Sequence, residues 1–239
     1  TTKEMIAAVL ERRLRVHKTE KNFNNELGVP RTLLSMPEGT QAAVVEMGIS
    51  DFGEMTRLTD MVRPNIAVIT MIGDAHLEFL HDRPGVLRAK TEIFASMQPD
   101  NLAIVNGDDP LLGAYEAPVR RITFGMHEGN DFVARGVKNL GGEGMRFEIC
   151  HHGQTFEARI PAFGAHLPYA ALAGAAAGIG GRDSRAGGQS GLEFRHLFLG
   201  LPVGPAVAEP VSDLAGKLTA LDIPGLPAAV LPFEYIFSL

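Results

Sequence analysis

The sequence predicts an α/β protein: a mostly parallel sheet flanked by helices, with an antiparallel extension. Three observations carry this expectation. Short apolar runs, "AAVVEMG", "IAVITMIG" and "LAIVN", alternate with helical patterns, the order that builds parallel sheets through helical crossovers. The runs are continuously apolar, as strands buried on both faces must be. From about residue 120 the pattern becomes alternating in "RRITFG", "DFVARGV", "MRFEICHH" and "QTFEARIP", with Gly-rich turns between, which points to antiparallel strands.

Each element has its own signal. Met5, Ile6, Val9, Leu10 and Leu14 fall on one side of a helix over residues 3–14, with Lys3, Glu4, Glu11 and Arg12 largely on the other. The polar stretch "VHKTEKNFNNELGVP" reads as a loop. Helical patterns "FGEMTRLTDMV" and "PGVLRAKTEIFASM" precede the second and third strands. The Ala-rich "YAALAGAAAGIGG" is too rich in small residues and too Gly-interrupted to cross a bilayer, and reads as a helix packed closely on a sheet.

Residues 1–180 form the expected domain and residues 181–239 an atypical Gly/Pro-rich tail without an assignable fold. Its prolines, Pro202, Pro205, Pro210, Pro224, Pro227 and Pro232, argue against long helices and central strands. Its Gly, Pro, Arg and Ala bias suggests GC-rich coding sequence read in a shifted frame.

Composition narrows the function. A net charge of −6, with both signs mixed along the chain, supplies no basic field for nucleic acid or an anionic membrane. The single cysteine, Cys150, excludes an internal disulfide and a cysteine-based zinc site, and no leader pattern is present, so a cytoplasmic protein is expected.

Ligands of an open parallel sheet bind beyond the carboxyl ends of its strands. Here the first run ends in Glu46, the second leads to Asp74 and His76, and the third to Asn106, Asp108 and Asp109. Polar residues follow strands wherever strands reach the surface, but three coincident acidic or imidazole exits favour a site for a cation and phosphate. Lys90 shares a helix face with Val86, Ile93, Phe94 and Met97. Either its ammonium snorkels to the rim, or it meets Glu46 and His76 as a cation or after chemical modification. His81, His127, His151, His152 and His166 read as surface or structural residues. No G-x-x-x-x-G-K-[ST] phosphate loop occurs, and neither "GGEGM" nor "GGRDSRAGG" substitutes for one.

The consecutive segments "TTKEMIAAVL", "HKTEKNFNNELGVPRTLL", "AVVEMGISDFGEM", "RPNIAVITMIGDAHLEFL", "VLRAKTEIF" and "NGDDP" resemble the Mur ligase family. They are most similar to its branch that adds D-alanyl-D-alanine to UDP-N-acetylmuramoyl-tripeptide. The resemblance is dense over residues 1–110 and looser to residue 179. It implies the central ATP-binding domain of a three-domain, cytoplasmic and monomeric ligase of peptidoglycan synthesis. ATP would phosphorylate the peptide carboxylate, and the D-alanyl-D-alanine amine would attack the acyl phosphate.

Carried over residue by residue, the resemblance assigns Glu46 and His76 to Mg2+ and makes Lys90 the family's carbamoylated lysine, these three forming the catalytic set. Asn22, Asn24 and Asn25 lie in the loop near substrate and γ-phosphate, and Asn106 and Asp108 approach the nucleotide. Thr1 is adjacent to the hydroxyl residue that would bind magnesium, so a strand and a Gly-rich turn ending in Gly-Lys-Thr or Gly-Lys-Ser are expected before it. Lys21 stands where the family usually has glycine, and Leu167 and Ala170 replace its asparagines, departures that bear on the loop's turn and on an adenine contact. The resemblance is expected to stop after Gly180. Without its phosphate loop the chain reads alternatively as a catalytically inactive fragment, or as a related ligase of the folylpolyglutamate or cyanophycin synthetase type.

Overall fold

The four apolar residues of Ile66–Ile69 and the runs Ala42–Glu46 and Leu102–Asn106 are strands whose side chains serve two cores in alternation. Ala42, Val44, Ile66, Val68, Leu102 and Ile104 face one core, and Ala43, Val45, Ala67, Ile69, Ala103 and Val105 face the other. That is why the runs carry no polar alternation. The computed structural model describes residues 1–183 and 234–238.

In chain order the helices are α1 (Thr2–Leu10), α2 (Gly28–Leu34), α3 (Glu54–Val62), α4 (Leu77–Leu80), α5 (Arg83–Thr91), α6 (Pro110–Ala114) and α7 (Leu167–Asp183). The strands are β1 (Val16–Lys18), β2 (Ala42–Glu46), β3 (Ile66–Ile69), β4 (Leu102–Asn106), β5 (Arg120–Gly125), β6 (Phe132–Asn139), β7 (Met145–His151), β8 (Gln154–Ile160) and β9 (Glu234–Ser238). Among the described residues they form one sheet in the order β1-β2-β9-β3-β4-β5-β6-β7-β8. Helices α1 and α7 cover one face, packing on each other through Ile6, Ala7 and Leu10 and the buried Ala171, Leu172, Ala175 and Ala176. Helices α2, α3 and α5 cover the other with Val29, Met55, Leu58, Val86 and Ala89.

The expected fold class stands, with four local corrections. The stretch read as a loop contains β1, paired in parallel with β2 from Val16↔Ala42 to Lys18↔Val44, and the start of α2. A three-residue edge strand is too short to show a period.

The antiparallel part begins later than residue 120, because β5 pairs in parallel with β4, and β6 in parallel with β5. The link between β5 and β6 is short for a parallel pair. It suffices because they are staggered, with only Phe124↔Phe132 and Gly125↔Val133 in register, so β6 starts where β5 ends. Antiparallel pairing starts at β6 with β7 and continues to β8.

Proline did not exclude a central strand from the tail: β9 lies between β2 and β3, parallel to both. It begins after the last proline, Pro232, so each of its residues can donate to the ladder. The frame-shift expectation concerns mainly residues 184–233, which lie outside the described residues. Finally, Lys3 belongs to the buried side of α1. No helix among the described residues is long and apolar enough to cross a membrane.

Candidate active site at the carboxyl rim of the sheet

Because β2, β3 and β4 run parallel, their exits share one rim. At the β2 exit, Glu46 receives the Asn24 side-chain amide at 2.7 Å on Oε1, and its Oε2 lies 3.9 Å from the Lys3 ammonium. Its backbone amide donates to the fully buried Thr19 hydroxyl at 2.9 Å. The carboxylate is thus fixed from two sides yet 28% exposed, which leaves it open toward the rim. Asn24 itself is held by its carbonyl, which accepts from Gly48 N–H at 2.8 Å. The next residue, Asn25, turns its Oδ1 to the amides of Leu27 and Gly28 at the entrance of α2. A side chain on Gly28 would put Cβ 2.4 Å from the Phe23 carbonyl carbon, so this close crossing requires glycine.

The exits of β3 and β4 are tied together through residues 70–72. Asn106 Nδ2 donates to the Thr70 carbonyl at 2.9 Å, and Lys90 Nζ to the Met71 carbonyl at 2.9 Å. Ile72 N–H donates to Asp109 Oδ2 at 2.8 Å, while the Ile72 carbonyl accepts from Arg83 Nε at 3.0 Å. Asp109 also caps α6 through the amides of Leu111 and Leu112 and lies 3.5 Å from Arg83 Nη2. Burial lowers the Lys90 pKa, an effect the Asp109 charge opposes. A larger share of this amine is therefore neutral and nucleophilic than in an ordinary lysine.

Asp108 anchors α7 to the same rim. Its carboxylate accepts from Met126 N–H at 2.6 Å, His127 N–H at 3.2 Å, Asn130 Nδ2 at 2.9 Å and the Tyr169 hydroxyl at 2.9 Å. Burial pushes its pKa up, but these hydrogen bonds outweigh it and hold the carboxyl below its ordinary range. The Tyr169 phenol is pushed up to about 12, by burial first and then by the Asp108 hydrogen bond and charge.

A carboxylate, a depressed-pKa amine and polar loops on one rim suit phosphate chemistry. The Mur ligase middle domain family matches residues 1–178. This chain belongs to the Mur ligase family. It is 42% identical over 206 residues to the UDP-N-acetylmuramoyl-tripeptide–D-alanyl-D-alanine ligase of Bacillus subtilis, covering 84% of this chain and 44% of that protein. The corresponding Haemophilus influenzae ligase is 31% identical, again with 84% and 44% covered. MurF from Acinetobacter baumannii superposes with a TM-score of 0.69 at 28% identity, covering 94% of this chain and 44% of that one. MurF from Thermotoga maritima in complex with ADP gives 0.65 at 29%, covering 74% and 41%. The chain thus spans less than half the length of these relatives. The family model ends at residue 178, beside the expected limit at Gly180, and the alignment with the Bacillus ligase runs beyond it.

Set beside this Mur ligase middle domain, the sequence-derived site residues sort into groups. Glu46 and Asn24 meet directly. His76 is exposed, with a left-handed backbone (φ 59°) at the entrance of α4, and Asp74 is exposed beside it. Lys90 reaches the Met71 carbonyl, and no hydrogen bond or ion pair among the described residues joins it to Glu46 or His76. Asn106 and Asp108 brace loops. Asn22 is exposed, its carbonyl accepting from Asn24 N–H, and Asn25 serves the α2 entrance. Exposed Thr1 leads into α1 with its hydroxyl uninvolved in capping.

Lys21 adopts φ 49°, so the conformation that glycine favours in the turn is kept by a lysine. Two residues were missed. Lys3 lies on the buried face of α1, where its charge gives no sign of it, and Tyr169, beside Ala170, joins α7 to Asp108. Only the Ala-rich surroundings of Tyr169, where one hydroxyl stands out, hinted at the latter.

Proposed function

We propose that the chain is the ATP-binding part of an ATP-dependent ligase of peptidoglycan precursor synthesis, joining D-alanyl-D-alanine to UDP-N-acetylmuramoyl-tripeptide in the cytoplasm. The observation that carries this reading is the match of residues 1–178 to the middle domain, together with relatives that bear this activity in their names. Those names also favour this substrate pair over folylpolyglutamate or cyanophycin chemistry. The α1 N-terminus, where the Thr1 side chain makes no capping hydrogen bond, suits a nucleotide phosphate. Asn106 and Asp108 hold the loops that would approach the nucleotide, and Asn22, Asn24 and Asn25 shape the turn that would face the acyl substrate.

The donor chemistry fits Mg2+ in the way that ion is usually bound, by one or two carboxylates, waters and substrate phosphates rather than by a closed cage. Among the described residues no group of three or more His, Cys, Asp or Glu could hold a metal. Glu46 is the open, pre-positioned carboxylate. His76 and a carbamoylated Lys90 would complete the set. Bound there, the ion would neutralise charge developing on the transferred phosphoryl group. The protein's own part is to fix Glu46 through Asn24, to lower the Lys90 pKa by burial and so favour its reaction with carbon dioxide, and to hold residues 70–72 so that the chain reaches His76. Peptide-bond formation then proceeds by amine attack on an acyl phosphate, with phosphate leaving.

The test is turnover of the two substrates with ATP by a protein in which this chain replaces the corresponding part of the Bacillus subtilis ligase. Lys90→Ala should abolish it, and added short carboxylic acids should partly restore it. Undiminished activity of Lys90→Ala would defeat the assigned role.

A further inference from the structure

Lys3 lies in the first turn of α1, where an exposed cation is ordinary, yet it is only 3% exposed. Its ammonium donates to the carbonyls of Thr19 at 2.6 Å and Lys21 at 2.7 Å, with carboxylate oxygens of Glu4 and Glu46 at 3.4 and 3.9 Å. Burying a lysine is costly unless it is paired and hydrogen-bonded, and here two carbonyls and two carboxylates compensate. Both carbonyls belong to the turn that leads from β1 to Asn24. Within that turn Lys21 holds φ 49°, a conformation disfavoured for a residue with a side chain. On the far side, an added Cβ at Gly48 would stand 2.9 Å from Asn24 Nδ2, so the Asn24 amide is wedged between the β2 exit and Glu46.

We propose that Lys3 is a positioning residue: its ammonium clamps residues 19–21 in their strained turn and so sets Asn24 against Glu46. The clamp joins three chain segments that carry the candidate site, namely the first turn of α1, the asparagine loop and the end of β2. Its consequence for a metal at Glu46 rests on the ligase reading, whereas the clamp itself does not.

The test uses the 239-residue chain with Lys3→Met, read by amide hydrogen exchange and by Mn2+ titration followed through line broadening at Glu46 and its neighbours. Exchange at Gly48 N–H, which donates to Asn24, should accelerate about tenfold or more, the equivalent of ~1.4 kcal/mol of local stability, while β7 and β8 stay unchanged. Adding Lys21→Gly, which relieves the turn, should recover part of that protection. Mn2+ affinity should fall about tenfold.

Unchanged Gly48 exchange overturns the clamp. Wild-type Mn2+ binding with the same affinity in Lys3→Met overturns the positioning role and leaves Lys3 as scaffold. If the wild-type chain shows no broadening at Glu46, the metal reading has failed there, and exchange alone decides for or against the clamp. Should Lys3→Met not fold, Lys3→Gln, which retains a shorter donor, supports the same comparison.

Discussion

Replacing Asp109 by alanine removes a carboxylate that is only 8% exposed and serves two structures at once. The first loss is the α6 cap, where Asp109 accepts from the amides of Leu111 and Leu112, worth about 1 kcal/mol. The second is the partner of Ile72 N–H, a donor on a residue 1% exposed, and an orphaned buried amide costs about 2 kcal/mol. The contact with Arg83, itself 44% exposed, adds little. The expected loss is about 3 kcal/mol in urea unfolding, with Tm lower by roughly 6–12 °C for a chain of this size. Asp109→Asn keeps one acceptor oxygen and should lose about half as much. A loss below about 1 kcal/mol in Asp109→Ala would refute the claim that this side chain supports both loops.

Tyr169→Phe deletes the hydroxyl bond to Asp108 and should cost about 1 kcal/mol. In the parent, the Tyr169 contribution is fully present below pH 10 and is lost as pH rises through about 12, which phenolate absorbance would follow. For Asp108 the sign is opposite: its stabilisation is present above the ordinary carboxylate value of 3.8 and is lost as pH falls through the lowered folded value. Acid unfolding of Tyr169→Phe should therefore show a shallower pH dependence than the parent. Gly28→Ala, which must push the Phe23 backbone aside, should cost about 2 kcal/mol by thermal melting. Gly73→Ala, whose Cβ would meet only the Met71 methyl at 3.6 Å, should change stability by less than about 0.5 kcal/mol.

Side-chain period announced those elements that bury a whole run or a whole stripe. The strands β2, β3 and β4 and helices α3 and α5 are of this kind, and with them came the rim and its carboxylates, whereas α7 was legible from its small residues. Two strands stayed hidden: β1 is a three-residue edge strand, and β9 pairs with partners distant in sequence. The β5–β6 alternation was real, but alternation reports one wet face and does not report strand direction. At the site, residue types were readable and their contacts were not. Lys3 carries a charge, so a helical wheel turns it to solvent, and only the carbonyls of Thr19 and Lys21 show why it points inward. Lys90 was placed on the buried face by its neighbours, and the carbonyl that receives it, Met71, had no signature in the sequence.

The four side chains that grip residues 70–72 come from few sources: Arg83 and Lys90 both project from α5, while Asn106 ends β4 and Asp109 follows it. The seating of α5 rests on Val86 and Ala89, which are 3% and 0% exposed in the core beneath it. The chain leading to His76 is therefore moored to the oily side of the sheet. A change of a methyl group under α5 would loosen two moorings together, and the imidazole would feel a packing defect that no residue of the rim itself contains.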